Sequence, residues 1–430
     1  MLKIAFFVGH FPILSETFIL NQIAGLIERG HQVDIYALQG DTADKSKVHP
    51  IVEKYKLIQK TYYAPTIPKN PIVRWLKCFY LLLANLDKKS WKLLPFFNIF
   101  KYGKDGISSR LIYQAVPLLP SKSYDIIHCQ FGTFGLSGLF FRKIGLIQGK
   151  LVTIFRGHDI SRAIQEYGDH VYDQLLSTGD FFLANCEFFR GRVLKLGCPE
   201  QKIVVHGSGI DCRKFAFTPR KLPADGKVRI VTTGRLVEKK GIEYCIKAVA
   251  KLSNTNQNIE FSIVGDGPLR QQFEQLIKEL KIYNLVKLLG WKQQQELVKI
   301  LDNSQIFLAP SVTAADGNQD APVNTLKEAM AMGLPVISTF HGGIPELVED
   351  GVSGFLVPER DADAIADKLS YLIEHPEIWP EMGKAGRARV EEKYDMEKLN
   401  DELVFIYQEL LKGELPQQIL PEQPVVLHSV

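Results

Sequence analysis

Short runs that are apolar almost throughout alternate along this chain with longer amphipathic segments, and no other feature restricts the fold as much. A strand that can be apolar on both faces belongs in a parallel sheet covered by helices on either side. The runs KIAFFVG, QVDIYAL, YDIIHCQ, LVTIFRG, FFLANC and KIVVHG come first. After FTPRKLPADGK, rich in proline and charge, the alternation restarts with VRIVTTG, IEFSIVG, VKLLGW, IFLAPS and PVIST. The pattern predicts an α/β chain of two doubly wound domains, 1–210 and 211–390, joined near residues 210 to 227. A last helix is expected over 391–413, from DMEKLNDELVFIYQELLKG, followed by a tail, 414–430, rich in proline and glutamine.

With 430 residues, 46% of them hydrophobic, the chain can bury large cores. A net charge of +4 is too small to imply a nucleic-acid partner, and none is expected. The six cysteines form no C-x-x-C pair, so neither structural zinc nor a disulfide framework is expected, and a reducing cytoplasm fits best. MLKIAFFVGHFPIL begins like a short secretion signal, but Gly9 and Pro12 break it and no small-residue cleavage site follows; it reads as a buried first strand. No uninterrupted apolar stretch approaches the roughly 20 residues of a membrane span.

The positive charge is uneven. Between Pro65 and Ser123, Arg74, Lys77, Lys88, Lys89, Lys92, Lys101, Lys104 and Arg110 stand against only Asp87 and Asp105, and Trp75, Phe79, Tyr80, Trp91, Phe96, Phe97 and Phe100 are interleaved with them. Cations and rings mixed on helices suit an anionic membrane surface, so peripheral contact is expected through residues about 71–113. The plainer alternative is helices packed on a sheet, with solvated lysines.

Several loops at strand ends carry residues suited to a phosphorylated ligand. In TTGRLVEKKG, Arg235 follows Gly234 and Lys240 comes five residues later, before a helix. Two cations beside free helix N–H groups can clamp a diphosphate; a solvated basic turn is the plainer reading. IVGDGPLR brings Gly265, Asp266 and Gly267 to another strand end, which is also ordinary turn chemistry. Pro322 suits a first turn and Gly333 with Pro335 a stop, so Glu328 falls mid-helix among Ala329, Met330 and Ala331. A packed acid there needs a partner, such as paired sugar hydroxyls. Asp320 reads either as an N-cap or as a second functional acid. Gly342 and Gly343 are expected to open a helix, IPELVEDG, with bare N–H groups for an anion. The Asp361-x-Asp363 pair opens a helix and reads as capping, so no metal site and no cofactor are expected.

Taken together, GRLVEKKG, IVGDGPLR, LLGW, LAPS, EAMAMGLPVIST, GGIPELVEDGVSGFLV and GSGIDCRKF resemble the family-4 retaining glycosyltransferases, and the resemblance covers most of the chain. It implies the GT-B architecture: two Rossmann-like domains facing across a cleft, the first on the acceptor side and the second binding a nucleotide sugar, with the last helix crossing back to the first. In that family a pair of acids spaced E-x7-E marks the donor site. Glu328 matches the second, which holds ribose hydroxyls, and Asp320 replaces the first, which contacts the transferred sugar. Arg235 and Lys240 become diphosphate ligands. Gly9, Gly234, Gly265, Asp266, Gly267, Trp291, His341, Gly342 and Gly343 are expected to line the donor site. FRGHDIS stands where the family has FHGxD: Arg156 replaces the histidine, Asp159 matches, His158 lies two residues on, and all three are expected near the reacting centre. GHFPILSETFILNQI resembles the first loop of a branch that builds bacterial surface polysaccharides, colanic acid included, and puts Ser15, Glu16 and Thr17 on the acceptor side. His128 matches a family position but, at a strand end, reads as structural.

The resemblance thus implies metal-independent transfer of a hexose from a nucleotide-diphosphate sugar to a saccharide or lipid-linked acceptor, with retention, in the cytoplasm at the inner face of the membrane. A catalytically idle GT-B partner subunit and a nucleotide-sugar epimerase of the same architecture stay open. A nicotinamide-dependent dehydrogenase shares the doubly wound plan, but GHFPILSE rather than G-x-G-x-x-G follows the first strand.

Overall fold

A computed structural model describes residues 1–12, 16–40, 49–85, 109–253, 258–320 and 322–416. The first sheet contains β1 (Lys3–His10), β2 (Gln32–Gln39), β3 (Thr61–Tyr63), β4 (Ser123–Gln130), β5 (Gln148–Phe155), β6 (Phe181–Ala184) and β7 (Ile203–Val205). The second contains β8 (Val228–Thr233), β9 (Ile259–Val264), β10 (Val286–Gly290), β11 (Ile306–Ala309), β12 (Val336–Thr339) and β13 (Phe355–Val357). Their orders are β3-β2-β1-β4-β5-β6-β7 and β10-β9-β8-β11-β12-β13, and every pairing is parallel. Central strands are buried on both faces, as in β1, where Ile4, Ala5, Phe6, Phe7 and Val8 are all buried; this is why they read as continuous apolar runs. The strand order reverses between β1 and β4 in one sheet and between β8 and β11 in the other. Open parallel sheets bind ligands beyond the carboxyl ends of their strands at such reversals.

The C-terminal helix, Met396–Lys412, lies against the first sheet. Leu403, Ile406, Tyr407 and Leu410 join a core built from Ile4, Phe6, Val8, Ile23 and Ile126. Tyr407 Oη and His128 Nδ1 are 2.6 Å apart, and Phe6 stacks on the His128 ring with centroids 4.8 Å apart, so His128 is a core residue that fixes the returning helix. Arg29 adds ion pairs to Asp401 at 2.7 Å and Glu397 at 3.1 Å. The two strands of chain that pass between the sheets run side by side, with Ile210 N donating to Tyr394 O at 2.9 Å and Met396 N to Ile210 O at 3.0 Å.

The structure departs from the sequence reading in two places. β3 and β13 are three-residue strands with too little pattern to stand out. The segment after Gly343 is only a 3-10 turn, Ile344–Glu346, because the chain leaves it to fold Glu349 and Asp350 against Ser353 and Gly354. Of the basic and aromatic segment, the helices Pro71–Leu83 and Ser109–Ala115 are described, whereas Lys88, Lys89, Trp91, Lys92, Phe96, Phe97, Phe100, Lys101 and Lys104 lie outside the described residues. No helix among the described residues is long and apolar enough to cross a membrane.

Candidate active site

Arg235, Lys240 and Asp320 come from the loops after β8 and β11, at the reversal in the second sheet. Lys240 closes a 3-10 turn, Glu238–Lys240, and the helix Ile242–Leu252 follows. The chain can turn there because Gly241 has φ +61°, and a Cβ on it would lie 1.9 Å from Pro310 O. Arg235 is exposed, and its guanidinium makes no hydrogen bond or ion pair among the described residues.

Asp320 is not an N-cap. The helix Asn324–Ala331 starts four residues later, with Val323 at its N-cap and no side-chain capping bond. The Asp320 carboxylate is buried and ion-paired twice, to Lys240 Nζ at 2.7 Å and Lys239 Nζ at 2.9 Å; Ser311 Oγ also donates to it at 3.2 Å. Burial alone would raise its pKa, but the two ammoniums outweigh burial and hold the carboxyl well below the usual carboxylate range. Lys240 is pulled below the ordinary lysine value chiefly by burial, opposed by Asp320. Asp320 N donates to His341 Nε2 at 3.0 Å, which leaves the proton on His341 Nδ1 to bond Glu359 Oε1 at 2.5 Å. Both ring nitrogens of His341, expected to touch the donor, are thus engaged, one by the Asp320 backbone and the other by Glu359.

Glu328 is half-buried in the helix Asn324–Ala331, and its carboxylate makes no hydrogen bond or ion pair among the described residues. Burial pushes its pKa up to about 7 against the pull of Lys327. Lys327 itself is buried, donates to Ser208 O at 2.8 Å, lies over the Tyr394 ring at 4.3 Å, and is pushed down to about 7 chiefly by burial.

In the first domain, Arg156 follows β5 and is buried. Its guanidinium donates to Gln130 Oε1 at 2.9 Å, Ser208 Oγ at 2.7 Å and Gln22 Oε1 at 3.1 Å, and lies 4.4 Å over the Phe18 ring. Burial lowers its pKa, while the negative charges of Asp159 and Glu16 oppose the shift. Asp159 is spent on the backbone: its carboxylate accepts from Gly132 N at 2.7 Å, Arg156 N at 3.1 Å and Gly157 N at 3.0 Å. It shapes the loop that carries Arg156. His158 is exposed on the same loop. Glu16, at the N-cap of the helix Thr17–Glu28, makes no capping bond. Burial raises its pKa, against the pull of Arg156, His10 and Arg235, so Arg235 acts on it across the cleft. Thr17 opens that helix, and Ser15 lies outside the described residues.

The glycines divide by role. A Cβ on Gly265 would fall 1.8 Å from Gly234 O and one on Gly267 2.6 Å from Leu236 O, so Gly265-Asp266-Gly267 packs directly on the Arg235 loop and supports it. A Cβ on Gly342 would meet Asp320 O at 2.1 Å, and one on Gly343 would meet Cys186 Sγ at 2.8 Å, where the two domains touch. Gly9 is freer, since its Cβ would meet only Phe134 Cζ at 3.5 Å and Cε2 at 3.7 Å. Trp291 follows the edge strand β10 with its residue 45% exposed, leaving ring surface open to a planar ligand. Asp361 caps the helix Ala362–Glu374 by accepting from Ala364 N at 2.9 Å, and Asp363 pairs with Lys251. Sequence reasoning missed Lys239, Lys327, Ser311 and Glu359. The pair Lys239-Lys240 was visible as a run, but nothing local links it to an acid 80 residues on.

Comparisons with known proteins give a consistent picture. A family model described as Glycosyltransferase Family 4 matches residues 15–214, and one described as Glycosyl transferases group 1 matches residues 214–389. The chain is 36% identical over 417 residues to WcaL of Escherichia coli K12, named as a colanic acid biosynthesis glycosyltransferase, covering 95% of this chain and 100% of that one. It is 35% identical over 414 residues to the amylovoran biosynthesis glycosyltransferase AmsK of Erwinia amylovora, with the same coverage of 95% and 100%. Among solved structures, HepE of Anabaena in complex with UDP-glucose superposes with a TM-score of 0.68 at 18% identity over 96% of this chain and 100% of that one. Sucrose-phosphate synthase of Thermosynechococcus elongatus gives 0.70 at 19% identity, with 96% and 100% covered.

Proposed function

This chain belongs to the family-4 glycosyltransferases of GT-B architecture, and on that premise we propose that it transfers a hexose from a nucleotide-diphosphate sugar to a saccharide or lipid-linked acceptor, with retention, in exopolysaccharide synthesis. The observation that carries the reading is the grouping of Arg235, Lys240 and Asp320 at the reversal of the second sheet, with Glu328 in the helix that follows the Asp320 loop, its carboxylate unpaired among the described residues. Glu328 has acceptor capacity that the protein leaves unused, which suits two ribose hydroxyls. The barrier to sugar transfer lies in negative charge growing on the departing phosphate while the anomeric carbon turns cationic. On this reading Arg235 and Lys240 stand where that charge develops and stabilise it without need of a metal ion. Arg156, buried opposite them with its loop shaped by Asp159, adds a fixed positive charge on the acceptor side. Attack and departure on one face, with the leaving phosphate taking the acceptor proton, follow from the family premise. The UDP-glucose complex of HepE supports a nucleotide sugar as the donor class.

The apolar face of the helix Pro71–Leu83 supports peripheral contact with an anionic membrane, where lipid-linked acceptors reside. Leu76, Phe79 and Tyr80 are 68%, 63% and 66% exposed.

The test is incubation of the purified chain with UDP-, GDP- and ADP-hexoses and a lipid-linked or free saccharide acceptor. Transfer that keeps the anomeric configuration, read from the product by NMR, and that persists in EDTA is the expected result. Donor binding without transfer would favour an idle partner subunit, and interconversion of the donor without acceptor an epimerase.

A further inference from the structure

Lys240 is the residue that the proposed reaction needs at the donor diphosphate, yet its ammonium is bound to Asp320 at 2.7 Å. Its stem runs across Gly234: Cγ, Cδ and Cε each lie 3.9 Å from where a Cβ on that glycine would be. The ammonium therefore has a route to the Arg235 loop by rotation of its own side chain. Lys239 is held differently. Its backbone O accepts from Val312 N at 2.9 Å and its Nζ reaches Asn318 Oδ1 at 3.4 Å, so both ends are tied to the loop that carries Asp320. Its ammonium pairs with the other carboxylate oxygen, Asp320 Oδ1, at 2.9 Å. A buried carboxylate stripped of its only cation is strongly disfavoured. With Lys239 in place, Lys240 can leave Asp320 without that penalty.

We propose that Asp320 is a placeholder for the donor diphosphate on Lys240, and that Lys239 is the positioning residue that keeps Asp320 ionised and in place when Lys240 turns to the phosphate. The inference rests on the donor reading above and adds a residue that this reading does not require. Asp320 and the diphosphate then compete for one ammonium, and the short arm of an aspartate keeps the freed carboxylate beside Lys239.

The test is calorimetric binding of UDP, GDP and ADP to the full chain, to Asp320→Asn, to Lys239→Met and to the double variant. Asp320→Asn removes the competitor and is expected to tighten nucleoside diphosphate binding about tenfold while turnover is lost. Lys239→Met obliges Lys240 to stay with Asp320 and is expected to weaken binding about tenfold, raising KM for the donor more than it lowers kcat. In the Asp320→Asn background Lys239→Met should have no effect. With Asp320 intact, Lys239→Arg should keep wild-type affinity, because a guanidinium can still pair with that carboxylate. Equal or weaker binding by Asp320→Asn, or the same loss from Lys239→Met in both backgrounds, would overturn the proposal. Absence of binding by the wild-type chain to all three nucleotides would overturn the donor reading first, and this inference with it.

Discussion

Burial pushes the Glu328 carboxyl from its ordinary value of 4.5 up to about 7. Between those values the folded chain binds more protons than the unfolded one, so this group's contribution to stability is complete below 4.5 and is lost as pH rises toward 7. Ribose hydroxyls donating to the carboxylate favour its ionised form and reverse part of the shift. Nucleotide binding near pH 6 is therefore expected to release a proton, seen as a heat that varies with the ionisation enthalpy of the buffer; Glu328→Gln should abolish the release. Glu328→Ala should weaken nucleotide binding about 10- to 100-fold, the worth of hydrogen bonds to a charged acceptor, while the melting temperature holds or rises. Unchanged nucleotide affinity in Glu328→Ala would contradict the assigned role. Glu328 was legible in the sequence because its small, apolar neighbours announce a packed setting. Asp320 was only half legible: cap and functional acid are alike in a local window, and what separates them is a pair of lysines brought in by the fold.

At the scale of elements, the helix Pro71–Leu83 is inside out. Arg74 donates to Pro68 O and Lys69 O at 3.0 Å each and Lys77 to Thr66 O at 2.8 Å, while Ile72, Trp75, Leu76, Phe79, Tyr80 and Leu83 form an exposed stripe at helical spacing. Composition showed that cations and rings mix here; which of them faces outward depends on carbonyls of the preceding turn. The described helix thus offers apolar insertion more than a cationic face. Leu76→Glu with Phe79→Glu is expected to lower sedimentation with anionic vesicles by tenfold or more, since a buried side chain of this size is worth about 1.5–3 kcal/mol. The melting temperature should not move, both residues being exposed. Binding should also persist in part at about 1 M salt, where exposed charges are screened within roughly 3 Å; equal sedimentation by the double variant would refute the role. The strands were legible for the converse reason, since parallel strands covered on both sides are apolar throughout. The helix expected after Gly343 was not, because Glu346, which looks like a helical acid, instead accepts from Glu187 N and Phe188 N, 2.8 Å each, across the domain boundary.

At the scale of the whole molecule, the two sheets meet through that carboxylate, through an Arg162–Asp316 ion pair at 3.1 Å, and through the paired segments at Ile210 and Tyr394. The doubled α/β alternation made the two domains legible. The interdomain contacts were not, since each joins residues that no local pattern relates. The returning helix Met396–Lys412 has its own consequence for how the chain is made. A ribosome delivers β1 well before this helix, yet Leu403, Ile406, Tyr407 and Leu410 belong to the core around β1. The second sheet draws its core from residues between Ile210 and Tyr394 and can close while the helix is still being synthesised. Maturation therefore runs opposite to synthesis, with the first-made sheet finishing last. A chain ended at Tyr394 is expected to keep a protease-resistant second half beside a digestible first half, and a separate peptide spanning 396–412 to restore resistance; a resistant first half without the peptide would show that the sheet closes alone. Until that helix has emerged, the nascent chain exposes the apolar face around Phe6, Val8 and His128, and that face is what a chaperone would shield.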